Sequence, residues 1–243
     1  MRFRNVYEDA RRAEAYAKLE FPGTYYLAYR DLPEIICQHV KGKRGLDFGC
    51  GTGRSTRFLV GLGFDAIGVD IAEDMLKQAR ARDPQGDYRL LGDGGLRQFG
   101  DVAFDLVLSV FTFDNIPTMD RKTALFRELG DVLAVEGKIV NVVSSPKIYT
   151  HEWASFTTKD FPENHNASTG DRVRIVVTDV DDRRPVEDIL CEDEAYLEVY
   201  KRAGLEPVAT YKPLARESEP YEWVSETHIA PWVIYVLRRQ LRE

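Results

Sequence analysis

Leu46-Asp47-Phe48-Gly49-Cys50-Gly51-Thr52-Gly53-Arg54-Ser55-Thr56 reads as an apolar strand running into a glycine-rich turn and then into a helix. A second apolar strand follows, and its run Ile67-Gly68-Val69 ends in the carboxylate of Asp70. Strand, glycine turn, helix, strand and acidic residue in that order hold a nucleotide-like ligand at the strand–helix junction, with the carboxylate accepting hydrogen bonds from ribose hydroxyls. The glycines fall as Gly49-x-Gly51-x-Gly53, and Arg54 stands where a dinucleotide fingerprint has its third glycine. That departure points away from a pyrophosphate and towards a smaller adenosine ligand. A tight turn with no ligand remains the other reading of the glycines, and a helix cap for Ala72 onward the other reading of Asp70.

At these residues the chain resembles the class I S-adenosylmethionine (SAM) dependent methyltransferases, whose first motif reads acidic-x-Gly-x-Gly-x-Gly. Asp47, Gly49, Gly51 and Gly53 fill its four positions. The resemblance continues through Asp70, through Gly92-Asp93 after the third predicted strand, and through the hydrophobic strand at 104–110. It covers residues 43–145 well and the remainder loosely. It implies SAM as cofactor, S-adenosylhomocysteine (SAH) as product, and a Rossmann-like fold.

The rest of the chain fits an α/β protein. Strand and helix alternate from 43 to 145: strands at 43–48, 64–69, 88–91, 104–110 and 138–143, and helices at 54–62, 72–82 and around Leu125 to Leu133, the last stopped by Gly137. This is the pattern of a doubly wound parallel sheet. Before it come a helix at 5–20 and a helix opened by Asp31, Pro33 and Glu34. After it the chain turns polar and aromatic, then gives an antiparallel pair at 172–180 and 186–190, a helix at 193–203 with Gly204 as its stop, and two last strands at 206–211 and 232–237. The expected architecture is a seven-stranded, mostly parallel sheet with N-terminal helices and an antiparallel β insertion after the fifth strand. The expected organisation is a helical cap at 1–42, a SAM-binding core at 43–145, a substrate-covering insertion at 146–192, and a C-terminal helix and strands at 193–243 that complete the sheet.

With 44% apolar and 30% charged residues the chain has the composition of an ordinary soluble globule. Its net charge of -7, from 33 basic and 40 acidic residues, weighs against nucleic acid as a partner. Cys37, Cys50 and Cys191 have no metal-ligand spacing, so free thiols and no metal are expected. Met1-Arg2-Phe3-Arg4 continues into charged sequence with neither a leader peptide nor a membrane span, and the expected compartment is the cytoplasm. Oligomeric state is not legible.

Candidate residues follow from the motifs and the resemblance together. Gly49, Cys50, Gly51 and Gly53 would bring backbone close to the ligand, and amides at the following helix start favour its carboxylate. Ile71 and Met75 would line adenine, although a Met at helical spacing is core by default. By resemblance, Asp93, between Gly92 and Gly94, meets the adenine amino group, Asp47 lies near the ligand's ammonium, and Ser109 and Phe111 border the cofactor. Tyr25 and Arg30 belong to helices that close over the cofactor in small-molecule members of the family, where an arginine can pair with a carboxylate in bidentate fashion. By the same resemblance Asp114 or Asn115 would face the acceptor, and the family's Asn/Asp-Pro-Pro-Tyr/Phe motif of amino-group methylation in macromolecules is absent. Aromatics in the irregular segments, Tyr149, Trp153 and Trp223, together with Glu226, are candidates for enclosing a small acceptor. His151 is the candidate general base, and a solvated loop histidine is its other reading. The expected activity is methyl transfer to a small molecule. The alternatives are an RNA or protein methyltransferase, a non-catalytic SAM-binding module, and a nicotinamide oxidoreductase.

Overall fold

The structure is a computed structural model that describes residues 22–92 and 95–240. The helix expected at 5–20, and Asp93 and Gly94, lie outside the described residues. Two short helices, α1 (Thr24–Arg30) and α2 (Leu32–His39), lead into β1 (Arg44–Phe48). There follow α3 (Arg54–Gly61), β2 (Asp65–Asp70), α4 (Glu73–Arg82), β3 (Asp87–Leu90), β4 (Phe104–Val110), α5 (Met119–Asp131) and β5 (Leu133–Ser144). After β5 come β6 (Phe156–Thr157), β7 (Arg172–Val177), β8 (Val186–Ile189), α6 (Asp193–Arg202), β9 (Leu205–Tyr211) and β10 (Trp232–Arg239).

Seven strands form one sheet in the order β3-β2-β1-β4-β5-β10-β9. The first five pair in parallel, and β10 lies antiparallel to both β5 and β9. Strands β6, β7 and β8 make a separate antiparallel sheet. This is the doubly wound α/β architecture, with the antiparallel insertion after the fifth strand.

Alternation along the strands explains the two-sided core, because successive side chains point to opposite faces. On one face Leu106, Leu108, Val140, Val142, Ile234 and Val236 pack with α1, α2 and the small sheet. On the other, Val107, Ile139, Val143, Val233, Tyr235 and Leu237 meet α5 and α6. Phe113 and Phe126 stack there at 3.9 Å between ring centroids, with Tyr200 edge-on to Phe126 at 4.9 Å.

Two expected local features differ. The fifth helix stops at Asp131, and Leu133 already belongs to β5, so Gly137 interrupts a strand rather than ending a helix. The β4–β5 register shifts between Phe104 and Leu106, and a β-carbon at Gly137 would lie 2.6 Å from the Phe104 carbonyl oxygen. The glycine is needed there because another backbone occupies the side-chain position. Asp31 makes no side-chain cap on α2, since both its carboxylate oxygens are taken by Arg30.

Candidate functional site

The β1–α3 turn forms one wall of a cleft of about 220 Å³ at the carboxyl ends of the parallel strands, where open α/β sheets bind ligands. Gly49, Gly51 and Gly53 all have left-handed backbones, with φ of 75°, 53° and 79°. A β-carbon at Gly49 would overlap Thr112 at 2.2 Å, so that glycine is a packing requirement. At Gly51 the nearest atom is the Met75 Cε, 3.4 Å away, and the space in front of the backbone is the cleft itself. Helix α3 starts directly after Gly53 with no side-chain cap, leaving first-turn amides for an anionic group.

Asp70 lies on the opposite lip, where Oδ2 accepts the Gly51 N–H at 2.9 Å and Oδ1 the Ala72 N–H at 2.8 Å. A carboxylate offers about four lone-pair positions, so these bonds fix its orientation and leave capacity towards the cleft. Helix α4 has no side-chain cap, and the Asp70 bond goes to the amide of Ala72 that precedes it, so the helix-cap reading of Asp70 does not hold. Burial raises its pKa, with the two amides acting in the other direction. Ile71, Met75, Leu91, Cys50 and Phe111 add apolar wall, and Tyr29, Arg54 and Arg121 complete the polar side. The residues present fit an adenosine-bearing cofactor with an anionic tail: a carboxylate on the cleft wall, an uncapped helix start, an apolar slot, and a glycine with open space before it.

Sequence reasoning missed Arg54 and Arg121. Arg54 was legible as the residue replacing a glycine, and its guanidinium lies 5.3 Å from the ring centroids of both Tyr25 and Tyr29.

Several expected site residues are placed elsewhere. Arg30 binds Asp31 in bidentate fashion and reaches Glu219 and the Leu214 carbonyl, outside the cleft; its carboxylate partner is its own neighbour. Asp47 lies beneath the turn, fully buried, with Oδ2 accepting the hydroxyls of Ser55 at 2.7 Å and Thr56 at 2.6 Å. It ties α3 to β1, and burial pushes its pKa up to about 6 against those two bonds. Ser109 is buried within β4, paired with Asn141, and lines neither this cleft nor the second cavity described below. Gly92 is exposed and off the wall.

A second cavity, of about 60 Å³, adjoins the first across Phe111 and Asn115, which line both. It brings together Asp114 and Tyr149, both expected to face an acceptor, and adds Tyr25, expected on the cofactor. Trp153 instead donates from its indole to the Ile148 carbonyl, and Trp223 to that of Arg216. Glu226 is fully buried with four donors: Thr24 Oγ1 and the backbone amides of Ala154, Val224 and Ser225. It is a structural tie, not a ligand group. His151 sits on a half-exposed turn against Thr150 and the Lys147 carbonyl and lines neither cavity. Among the described residues no cluster of three or more metal-ligating side chains is present, and no helix is long and apolar enough to cross a membrane.

Residues 46–141 match the family model described as "Methyltransferase domain". An uncharacterized methyltransferase of Bacillus licheniformis is 31% identical over 120 residues, 48% of this chain and 55% of that protein. The 18S rRNA (guanine-N(7))-methyltransferase of Bos taurus is 34% identical over 104 residues, 39% of this chain and 37% of that protein. The matched stretches thus span about half or less of these relatives' own lengths. A SAM-dependent methyltransferase from Clostridium acetobutylicum superposes with a TM-score of 0.62 at 14% identity, covering 93% of this chain and 94% of that one. At that identity the likeness is one of fold, and it extends well beyond the matched domain. The glycine turn, Asp70 on the cleft wall and the matched domain agree: residues 46–141 carry a methyltransferase domain, within a fold shared with SAM-dependent methyltransferases.

Proposed function

We propose that this protein transfers a methyl group from SAM to a small-molecule acceptor by in-line displacement. The observation that carries the reading is the junction of two cavities at Phe111, an open cleft on the glycine turn and a smaller one behind it. When bound, SAM supplies a methyl group on a positively charged sulfur, so the leaving group needs no proton. The uncapped first-turn amides of α3 and the Arg54 guanidinium hold the carboxylate end of the cofactor, and Asp70 holds its ribose. Ile71, Met75 and Leu91 flank the adenine, with Asp93 offered to the adenine amino group. Asp114, Tyr149 and the surrounding rings orient the acceptor and exclude water. Holding nucleophile, methyl carbon and sulfur in line can supply about 7–11 kcal/mol of the barrier, which is why the reaction requires neither a triad nor a metal. In this reading residues 43–145 bind cofactor, 1–42 and 146–192 cover the site, and the protein works in the cytoplasm.

RNA as acceptor is the second reading, favoured by the name of the bovine relative. The chain's charge of -7 argues against it. Incubation with methyl-labelled SAM and a fractionated cell extract separates the two. Label among small molecules is expected; label in RNA or protein would replace this reading with the second, and SAM binding without any transfer would favour a regulatory module.

A further inference from the structure

The inner cavity has two chemically distinct walls. One is aromatic: Tyr25, Phe111, Phe156 and Trp232 line it and touch one another. Centroid separations are 4.5 Å for Phe111–Trp232, 4.9 Å for Tyr25–Phe156 and 5.8 Å for Phe156–Trp232. The other wall carries two buried carboxylates, Asp114 and Asp188, with Ser144 and Tyr149 between them. Asp114 accepts the Ser144 amide and hydroxyl, the latter at 2.8 Å, and Tyr149 donates to Asp188 at 3.0 Å. Lys122, on α5 behind this wall, donates to the Phe113 carbonyl and offsets part of the charge of both carboxylates. Ring faces attract cations, and two carboxylates facing one buried lysine leave this wall negative on balance, so a cationic guest suits both walls and an anionic one neither.

We propose, resting on the methyltransferase reading above, that the acceptor is a small aliphatic amine methylated on nitrogen, seated with its nitrogen between this aromatic wall and Asp114. Phe111 sets the geometry. It is the only non-glycine residue with positive φ, 63°, among the described residues, and it forms wall for both cavities. The amine lone pair forms the new N–C bond to the methyl carbon as the C–S bond breaks with its electron pair on sulfur. The guest binds as its ammonium, so one N–H proton passes to the Asp114 carboxylate beforehand to free that lone pair, and the methylated nitrogen leaves as an ammonium. The products are SAH, the N-methylated ammonium and a protonated Asp114 that returns its proton to solvent.

Calorimetric titration of the whole protein, saturated with SAH, tests this with three matched probes: butylammonium, butanol and butyrate. Butylammonium should bind about tenfold tighter than butanol, with butyrate weakest. Asp114→Asn should abolish that preference and leave SAH affinity unchanged. Phe156→Leu, which spares the carboxylate network, should weaken butylammonium more than butanol and gives a second route if Asp114→Asn does not fold. Butanol or butyrate binding as tightly as butylammonium, or no probe binding while SAH binds, would overturn the amine assignment alone. Failure of SAH itself to bind would instead overturn the methyltransferase reading beneath it.

Discussion

Asp70 and Asp47 are both acidic residues of the cofactor motif, and their surroundings give them opposite duties. Asp70 is held by two amides with lone pairs directed to the cleft, and hydrogen bonds to a charged group contribute about 1.5–3 kcal/mol each. Asp70→Ala should therefore weaken SAH binding at least about a hundredfold by calorimetry, two ribose bonds being lost; unchanged affinity would remove Asp70 from the site. Asp47 binds no ligand in this account, and its burial raises its pKa to about 6. A carboxyl whose pKa rises on folding binds protons more tightly in the native state, so native stability is full below about 3.8, falls as pH climbs from there to about 6, and stays low above it. A rise from 3.8 to about 6 corresponds to about 3 kcal/mol at neutral pH. Asp47→Asn keeps an acceptor for Ser55 and Thr56 without the charge. Melting temperatures at pH 5 and pH 7.5 should show the variant gaining on the wild type at the higher pH. Equal differences at the two pH values would mean that Asp47 is not held as a desolvated carboxyl.

At the scale of elements, legibility followed local periodicity. Strand β4 and helix α3 were readable because a nearly continuous apolar run and a glycine turn are each encoded within a dozen residues. The end of α5 was not, because Leu133 suits a helix face and a strand equally and only pairing with Phe104 decides. Glu226 illustrates the other limit. It is 202 residues from Thr24 in sequence, yet its Oε1 accepts the Thr24 hydroxyl at 2.6 Å and also the Ala154 amide at 2.8 Å. No spacing rule signals a carboxylate that fastens the first helix to the segment before β6. Glu226→Gln weakens all four bonds and turns one set of donors against an amide NH₂, so a loss of about 2 kcal/mol in chemical denaturation is expected. SAH affinity should stay close to wild type, since Glu226 does not line the cleft; a lost cofactor site with unchanged stability would contradict the structural role. Arg30 teaches the same lesson: its attachment to Glu219 depends on how the C-terminal loop folds back.

For the whole molecule, much of the cleft wall lies in one stretch, from Phe48 to Met75, and was therefore open to sequence reading, while Leu91 and Arg121 reach it from farther along the chain. The acceptor half is assembled from α1, the end of β4, the end of β5, the inserted sheet and the start of β10. Tyr25 and Trp232 are at opposite ends of the chain and stack at 6.0 Å only in the fold. That separation explains why Asp114 and Tyr149 were found, with Phe156 among the neighbouring aromatics, but without their companions Asp188 and Trp232. It also predicts that the insertion is part of the chemistry: Tyr149→Phe, which deletes the bond to Asp188, should lower turnover while leaving SAH binding intact. The most direct test of the central claim is the product itself. The purified protein is incubated with SAM and a pool of small metabolites, and SAH formation is followed alongside the masses of the small molecules. The account predicts SAH released in step with one small product heavier by a methyl substitution, with neither formed by Asp70→Ala. SAH formed only when RNA or protein is supplied, or no SAH under any condition despite tight SAM binding, would contradict it.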